Sequence, residues 1–408
     1  MKGKSPGMKK IILLLAIMLA LVVTASLRRP DTCCAPAAAR PKVVVGRTET
    51  DGVPDWGLGP FVRDEGADFI KTDANAIFQC PVRKTEVRWE EQAVLCAGAV
   101  VKDNKVYILY RAEDSTLSQP AAGKYHWGTS RIGIATSEDG RHFKRYAEPV
   151  LYPAEDEMRA SEWPGGCQDP RVIEARDGTF VMTYTAYDGK FPRLAIATST
   201  DLFHWKKQGL AFRHQLDGRF GGNFGSKSGS IVCKREGDRF IAEKISGKYW
   251  MYFGEYGIML ASSQNLTDWE IVLDENGTQP LIVAPMRKGA PWFDQGTTEC
   301  GSQAFITQDG IFMIYDGMAP QRPDLALTGK IWSAGQILFD LNDMTKVIGR
   351  TDRDFFHPEK DYEKQNVTRG AGGANNVTFV SNLVSFGGKW RFYYGCADSR
   401  VACAVSIK

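Results

Sequence analysis

The sequence carries no excess of charge of either sign: 51 Lys and Arg stand against 48 Asp and Glu, for a formal net charge of +3. That balance argues against a basic nucleic-acid-binding face or a polybasic membrane surface, and points to a small or neutral partner. The nine cysteines form no Cys-x-x-Cys pair and no Cys/His cluster at zinc spacing. A structural metal is therefore not expected, and no organic cofactor is implied either. Several of the cysteines read as buried small hydrophobes; one or two disulfides stay open in an exported chain, with no pairing legible. The apolar run from Ile11 to Val23 falls short of the roughly 20 residues of a comfortable membrane span. No Gly/Ser-rich linker divides residues 45–408, so that stretch is expected to be one closed domain.

Lys9-Lys10, the apolar run and the small residues Val23-Thr24-Ala25 together read as an export signal over residues 1–26. Residues 27–44, rich in Ala, Pro and Arg, read as a tether. The expected location is periplasmic or extracellular, with a membrane attachment only if the signal stays uncleaved. Composition is 43% hydrophobic and 24% charged, which is globular. The 10 Trp, 14 Tyr and 21 Phe beside 41 Gly favour strands and turns over helices.

Five runs share one alternating apolar and aromatic pattern: Val106 to Arg111, Phe180 to Thr185, Tyr249 to Gly254, Ile311 to Asp316 and Trp390 to Gly395. Each predicts a strand. Aligning Tyr110, Tyr184, Tyr252, Tyr315 and Tyr394 gives spacings of 74, 68, 63 and 79 residues, an internal repeat. A second strand-like run follows each first one, and three lead into turns at Glu138-Asp-Gly, Thr200-Asp-Leu and Gln264-Asn-Leu. Strand–turn–strand units repeated in this way predict an all-β protein, a five-bladed β-propeller over residues 45–408, whose radial repetition protects its sheet edges. A tandem of β-sandwiches is the competing reading.

Propellers gather function where one strand of every blade ends. The acids just past the aligned tyrosines, Glu113 and Asp114, Asp188, Glu255, Asp316 and Asp398, would deliver carboxylates to one level. Neutral sugars need such groups for hydroxyl hydrogen bonds, and glycosidic cleavage needs them for acid and base roles. Turn capping is the competing role, favoured at Asp188-Gly189. The most specific segment is Pro164-Gly-Gly-Cys-Gln-Asp-Pro-Arg171, where Asp169 is held between a Gly-rich approach and a proline.

The runs Tyr110-Arg-Ala-Glu-Asp114, Gly165-Gly-Cys-Gln-Asp-Pro-Arg171, Thr183-Tyr-Thr-Ala-Tyr-Asp188, Ala197-Thr-Ser-Thr-Asp-Leu202 and Tyr394-Gly-Cys-Ala-Asp-Ser399 occur in order and resemble glycoside hydrolase family 130. The resemblance covers residues 60–408. It implies a five-bladed enzyme that cleaves β-mannosides, with water as a β-1,2-mannosidase or with phosphate as a mannoside phosphorylase. It also implies Asp169 as general acid, acting through a hydroxyl of the bound mannose, with Arg111 and Asp398 holding that mannose. One departure stands out: Val94-Leu-Cys-Ala-Gly98 occupies the place of a family Asn-Pro pair that contacts mannose.

The attacking species separates the two activities. Inverting hydrolysis requires a carboxylate base to activate water, and Glu255 in Tyr252-Phe-Gly-Glu-Tyr256 and Glu299 in Gly296-Thr-Thr-Glu-Cys-Gly301 resemble the glutamates of the hydrolytic branch. A phosphorylase requires cations converging on a dianion, for which Arg171, Lys227 and Lys244 are the candidates. The expected activity is inverting hydrolysis of β-mannosidic linkages, with catalytic Asp169, Glu255 and Glu299. Arg111, Asp114, Arg171, Lys227, Asp316 and Asp398 are expected to bind substrate. Phosphorolysis is the alternative, and a non-catalytic sugar-binding propeller or an enzyme of arabinans or fructans ranks below both. Trp127, Trp163, Trp292 and Tyr125 are candidate stacking aromatics.

Overall fold

The computed structural model describes residues 53–115, 128–215, 226–286, 292–368 and 374–407. The expected signal and tether, with Tyr125, Trp127, Cys33 and Cys34, lie outside these. The described chain is almost entirely β.

Its strands form five consecutive antiparallel units. The first consists of Ala93–Lys102, Lys105–Glu113, Ser130–Ser137 and Lys144–Arg145. The second repeats the order with Gly166–Glu174, Phe180–Tyr187, Pro192–Ser199 and Lys206–Leu210. The third uses Ser230–Glu236, Tyr249–Phe253, Met259–Ser263 and Trp269–Ile271. In the fourth, Thr297–Cys300 and Ala304–Ile306 both pair with Ile311–Arg322, which continues to Leu327–Phe339 and Val347–Arg350. The fifth joins Thr378–Val380 and Val384–Phe386 to Lys389–Cys396 and Arg400–Ser406. Its outer strand comes from the other end of the chain: Phe61 pairs with Ser406 and Arg63 with Ala404. All five expected strands fall on the strand that follows the first one of a unit, which in the fourth and fifth units is split in two.

The aligned tyrosines are buried and carry a repeated polar device. Tyr110 Oη donates to Glu90, Tyr184 to Glu162 at 2.7 Å, Tyr315 to Asp294 at 2.8 Å and Tyr394 to Glu363 at 2.7 Å. Each carboxylate also meets a cation from the outer strand of its unit: Arg145, Lys207, Arg350 and Arg63 respectively. A buried hydroxyl requires a partner, and the carboxylate so used requires a counter-charge, so the three conserve one another's position. In the third unit Tyr252 Oη instead donates to the Met344 carbonyl, at 2.9 Å.

The turns after the third strands are built on side-chain oxygens that accept backbone N–H groups. Asp139 receives His142, Asp201 receives His204 and Asn265 receives Asp268, which is how Asx turns form.

Neighbouring units touch along their first strands and the segments beside them. Gly98 runs so close to the second unit that a Cβ there would stand 2.9 Å from the Pro170 carbonyl oxygen. Glu174 pairs with Ile241 and Val232 with Ala304, both parallel. Trp332 bridges to Val377, and Ser381 Oγ donates to the Ala97 carbonyl at 2.8 Å. The seven described cysteines are free and buried. Among the described residues, therefore, no disulfide forms; Cys233 and Cys396 fill the core as small hydrophobes.

Candidate active site

A cleft of about 550 Å³ opens where the first strands converge, and Arg111, Asp169, Lys227, Glu255, Glu299 and Asp398 all line it. A larger groove of about 920 Å³ lies between the outer parts of the first two units, near Tyr146 and Trp205. It holds none of the expected site residues, so size does not identify the site here.

Backbone irregularity delivers the key carboxylate. The pairing of Gly166–Glu174 with Phe180–Tyr187 slips between Thr183 and Thr185, opposite Asp169. Asp169 sits there at φ 48°, left-handed, with Pro170 after it. A bulge of this kind turns a side chain out of the sheet's alternation, and Asp tolerates the left-handed region better than most residues. The first unit has the same device: its register shifts between Leu95 and Ala97, placing Cys96 at φ 35°. Cys96 thus occupies the cleft position that corresponds to Asp169 one unit on. Asp398 also has a left-handed backbone, at φ 49°.

Arg111 and Glu113 are two apart on one strand and so share a face. Arg111 Nη1 donates to Asp169 Oδ1 at 2.9 Å, its Nη2 pairs with Glu113, and its Nε donates to Ser130 Oγ at 3.0 Å. The guanidinium is 8% exposed and committed to these partners. Its geometry makes it the residue that orients Asp169, in addition to any contact with substrate. Across the cleft, Lys227 Nζ stands 3.6 Å from Asp169 Oδ2, 3.6 Å from Glu255 Oε1 and 3.8 Å from Glu299 Oε1. Ser228 Oγ donates to Glu299.

The two buried carboxyls are driven apart. Burial alone would raise Asp169, but Arg111 and then Lys227 outweigh it and hold the group well below the usual carboxylate range. Burial pushes Glu299 up to about 7; Lys227 opposes the rise and the charge of Glu255 adds to it. Lys227 is itself raised: desolvation works against its charge, but Glu255, Glu299 and Asp169 prevail. The cleft thus holds an ionised Asp169 and a Glu299 that keeps its proton close to neutrality, a separation suited to acid–base work.

Three expected binders lie outside the cleft wall. Asp114 accepts the Thr129 N–H and pairs with Arg131 at 2.8 Å, so it anchors a strand start. Asp316 accepts the Val380 N–H at 2.9 Å, joining the fourth and fifth units, and burial drives its carboxyl well upward. Arg171 turns its guanidinium onto the carbonyls of Gly301 at 2.8 Å and Cys300 at 2.5 Å. It braces the strand that carries Glu299. Lys244 lies over the Tyr249 ring, at 5.0 Å. Asp188 caps its turn, accepting the N–H groups of Lys190 and Phe191 at 2.8 Å. Trp163 and Trp292 do not line the cleft, whereas Tyr187, Tyr256, Trp332 and Phe379 do, with Lys190 and Lys330. Sequence reasoning missed these, and missed Ser228, although the Ser-Lys-Ser run was a visible signal; Glu113 was among the expected channel acids, but its pairing with Arg111 was not.

Comparison with known proteins adds an independent line. A sequence model of a family described as β-1,4-mannooligosaccharide phosphorylase, glycoside hydrolase family 130, matches residues 75–407. A 1,2-β-oligomannan phosphorylase of Thermoanaerobacter sp. is 29% identical over 79% of this chain and 92% of its own. A β-1,2-mannobiose phosphorylase of Listeria innocua is 27% identical over 69% of this chain and 68% of its own. Among solved structures, a glycosyl hydrolase of Bacteroides ovatus is 38% identical, with TM-score 0.79 over 87% of this chain and 95% of that one. Another, 40% identical with TM-score 0.79 over 86% and 95%, accompanies the finding that the family of mannoside phosphorylases contains glycoside hydrolases that target β-1,2-mannosidic linkages in Candida mannan. Since the matched span takes in every cleft residue from Leu95 to Asp398, this chain belongs to glycoside hydrolase family 130.

Proposed function

We propose that the chain is a five-bladed β-propeller that hydrolyses β-mannosidic linkages, β-1,2 in particular, with inversion. Support for the propeller comes from the order of contacts, in which each unit touches the next and the fifth returns to the first through Ser381 and Ala97. The observation that carries hydrolysis is the setting of Lys227: three carboxylates surround the cation that a phosphate would need. A dianion entering there meets repulsion from the ionised Asp169, and from Glu299 as well once pH rises past its value of about 7. The other two candidate cations, Arg171 and Lys244, are engaged elsewhere.

In this reading a neutral mannose sits between Arg111, Asp169 and Asp398. Seating it removes remaining water from Asp169, and that desolvation works against the pull of Arg111 and Lys227 to raise the carboxyl toward a proton-donating state. Asp169 then protonates the leaving oxygen through a sugar hydroxyl, while Glu255 or Glu299 accepts a proton from the attacking water. The reading extends to an exported protein, on the N-terminal sequence pattern.

The second reading is phosphorolysis. The names of the curated relatives and the family description favour it over hydrolysis, and Lys190 and Lys330 supply cations at the cleft. NMR product analysis with β-1,2- and β-1,4-mannobiose, with and without phosphate, decides between them. Free mannose appearing first as the α anomer, independent of phosphate, is the expected result. Phosphate-dependent mannose 1-phosphate would overturn it.

A further inference from the structure

We propose that Tyr256 is the stacking platform for the sugar on the leaving side of the scissile bond, so that it sets the preference for a saccharide leaving group. The inference rests on the β-mannoside reading above. Tyr256 lines the cleft yet is 76% exposed, more than any other large hydrophobic side chain among the described residues. The cleft floor contrasts with it, since Asp169 is 5% and Glu299 2% exposed. A sugar seated at that floor leaves the exposed ring for the next residue of the chain, the one that extends toward solvent.

The exposure is built in. Tyr256 stands on a tight corner between Gly254 at φ 130° and Gly257 at φ 141°. Gly254 N–H donates to the Lys227 carbonyl at 3.0 Å, Cys300 N–H to the Gly254 carbonyl at 3.2 Å, and Gly257 N–H to the Thr298 carbonyl at 3.1 Å. Thr297 Oγ1 donates to the Glu255 carbonyl. A Cβ on Gly254 would stand 2.1 Å from the Gly257 carbonyl oxygen, so the corner has no slack. The same corner also carries Glu255, 3.6 Å from Lys227. An aromatic ring held in water beside a binding cleft gains by covering its face, and the C–H face of a pyranose ring is a suitable cover.

The test compares Tyr256→Ala and Tyr256→Phe on two substrates, β-1,2-mannotriose and β-mannosyl fluoride, whose fluoride is too small to reach the platform. The expected result is a loss of kcat/KM on the triose of about tenfold or more for Tyr256→Ala. Tyr256→Phe keeps the triose rate, and all three proteins turn over the fluoride at matched rates. Equal losses on both substrates would overturn the proposal by placing the ring at the cleaved sugar, and no loss on either would overturn it outright. A wild-type protein that turns over neither substrate, with or without phosphate, would instead refute the β-mannoside reading on which the proposal stands. Because the side chain is exposed, an unchanged Tm in both variants certifies that the fold is intact.

Discussion

The ammonium of Lys227 stands 3.6 Å from the carboxylate of Asp169. It is also within 3.6 Å and 3.8 Å of Glu255 and Glu299, so one cation serves three acids from three parts of the chain. Lys227→Met keeps most of the side-chain volume and removes the charge. Asp169 and Glu299, both held down by Lys227, should then titrate higher, and kcat/KM on a β-mannoside should fall by about 100-fold, the scale of losing one preorganised electrostatic group. Steady-state kinetics across pH check this; an unmoved acidic limb would place Lys227 outside the reaction centre.

Glu299 makes a pH-dependent prediction with a definite sign. Burial raises its carboxyl from 4.5 to about 7 in the folded protein. The folded state therefore binds more protons than the unfolded chain between these values, and stability from this group declines as pH rises through about 7. Glu299→Gln should gain Tm relative to wild type more at pH 7.5 than at pH 5, by thermal melts. If Glu299 is the base, kcat/KM of the wild type shows an acidic limb near neutrality that the same substitution abolishes.

Arg171→Lys tests the brace behind Glu299. A single ammonium replaces a guanidinium that donates to both Gly301 and Cys300 carbonyls. Leaving a buried acceptor unpaired costs about 1–3 kcal/mol, read as a lower denaturation midpoint. The strand that carries Glu299 loosens with it, so kcat should fall with the phosphate dependence of the rate unchanged. A phosphate-binding role predicts a change in phosphate dependence instead.

The tyrosine devices differ in what their loss leaves behind. Tyr184→Phe strands Glu162, buried beside Lys207, with one partner fewer, whereas Tyr252→Phe strands only the Met344 carbonyl. Urea unfolding should show Tyr184→Phe as the costlier change, about 1–3 kcal/mol against about 0.5–1.5 kcal/mol.

Gly98→Ala probes the approach between the first two units. Its Cβ would meet the Pro170 carbonyl oxygen at 2.9 Å. Backbone must yield, and Asp169 moves with it; catalysis is sensitive to displacements of this order. Activity should fall by at least tenfold with only a small loss of Tm, measured side by side.

The strands were legible because alternation is a local property: the five aligned tyrosine runs, their following strands and the Asp and Asn turns all fall where period and turn chemistry place them. The motif around Asp169 was legible for a similar reason, since a proline and glycines restrict the backbone within a few residues. What no local pattern carried was which charge meets which. Arg171 follows Asp169 by two positions yet does not line the cleft and spends its guanidinium on carbonyls of a distant strand. Asp114 sits beside Glu113, and Arg131 takes one while Arg111 takes the other. The outer strand of the last unit comes from Phe61–Arg63, and Arg63 meets its device partner Glu363 from 300 residues away in the chain. Sequence by itself determined the strand repeat, the family and the residue types available for acid–base work, because backbone preference and motif spacing act over short distances. The tertiary structure decided which carboxylates share Lys227, which are spent on structure and which aromatic ring stands free at the cleft, because charge pairing and burial depend on neighbours that only folding brings together.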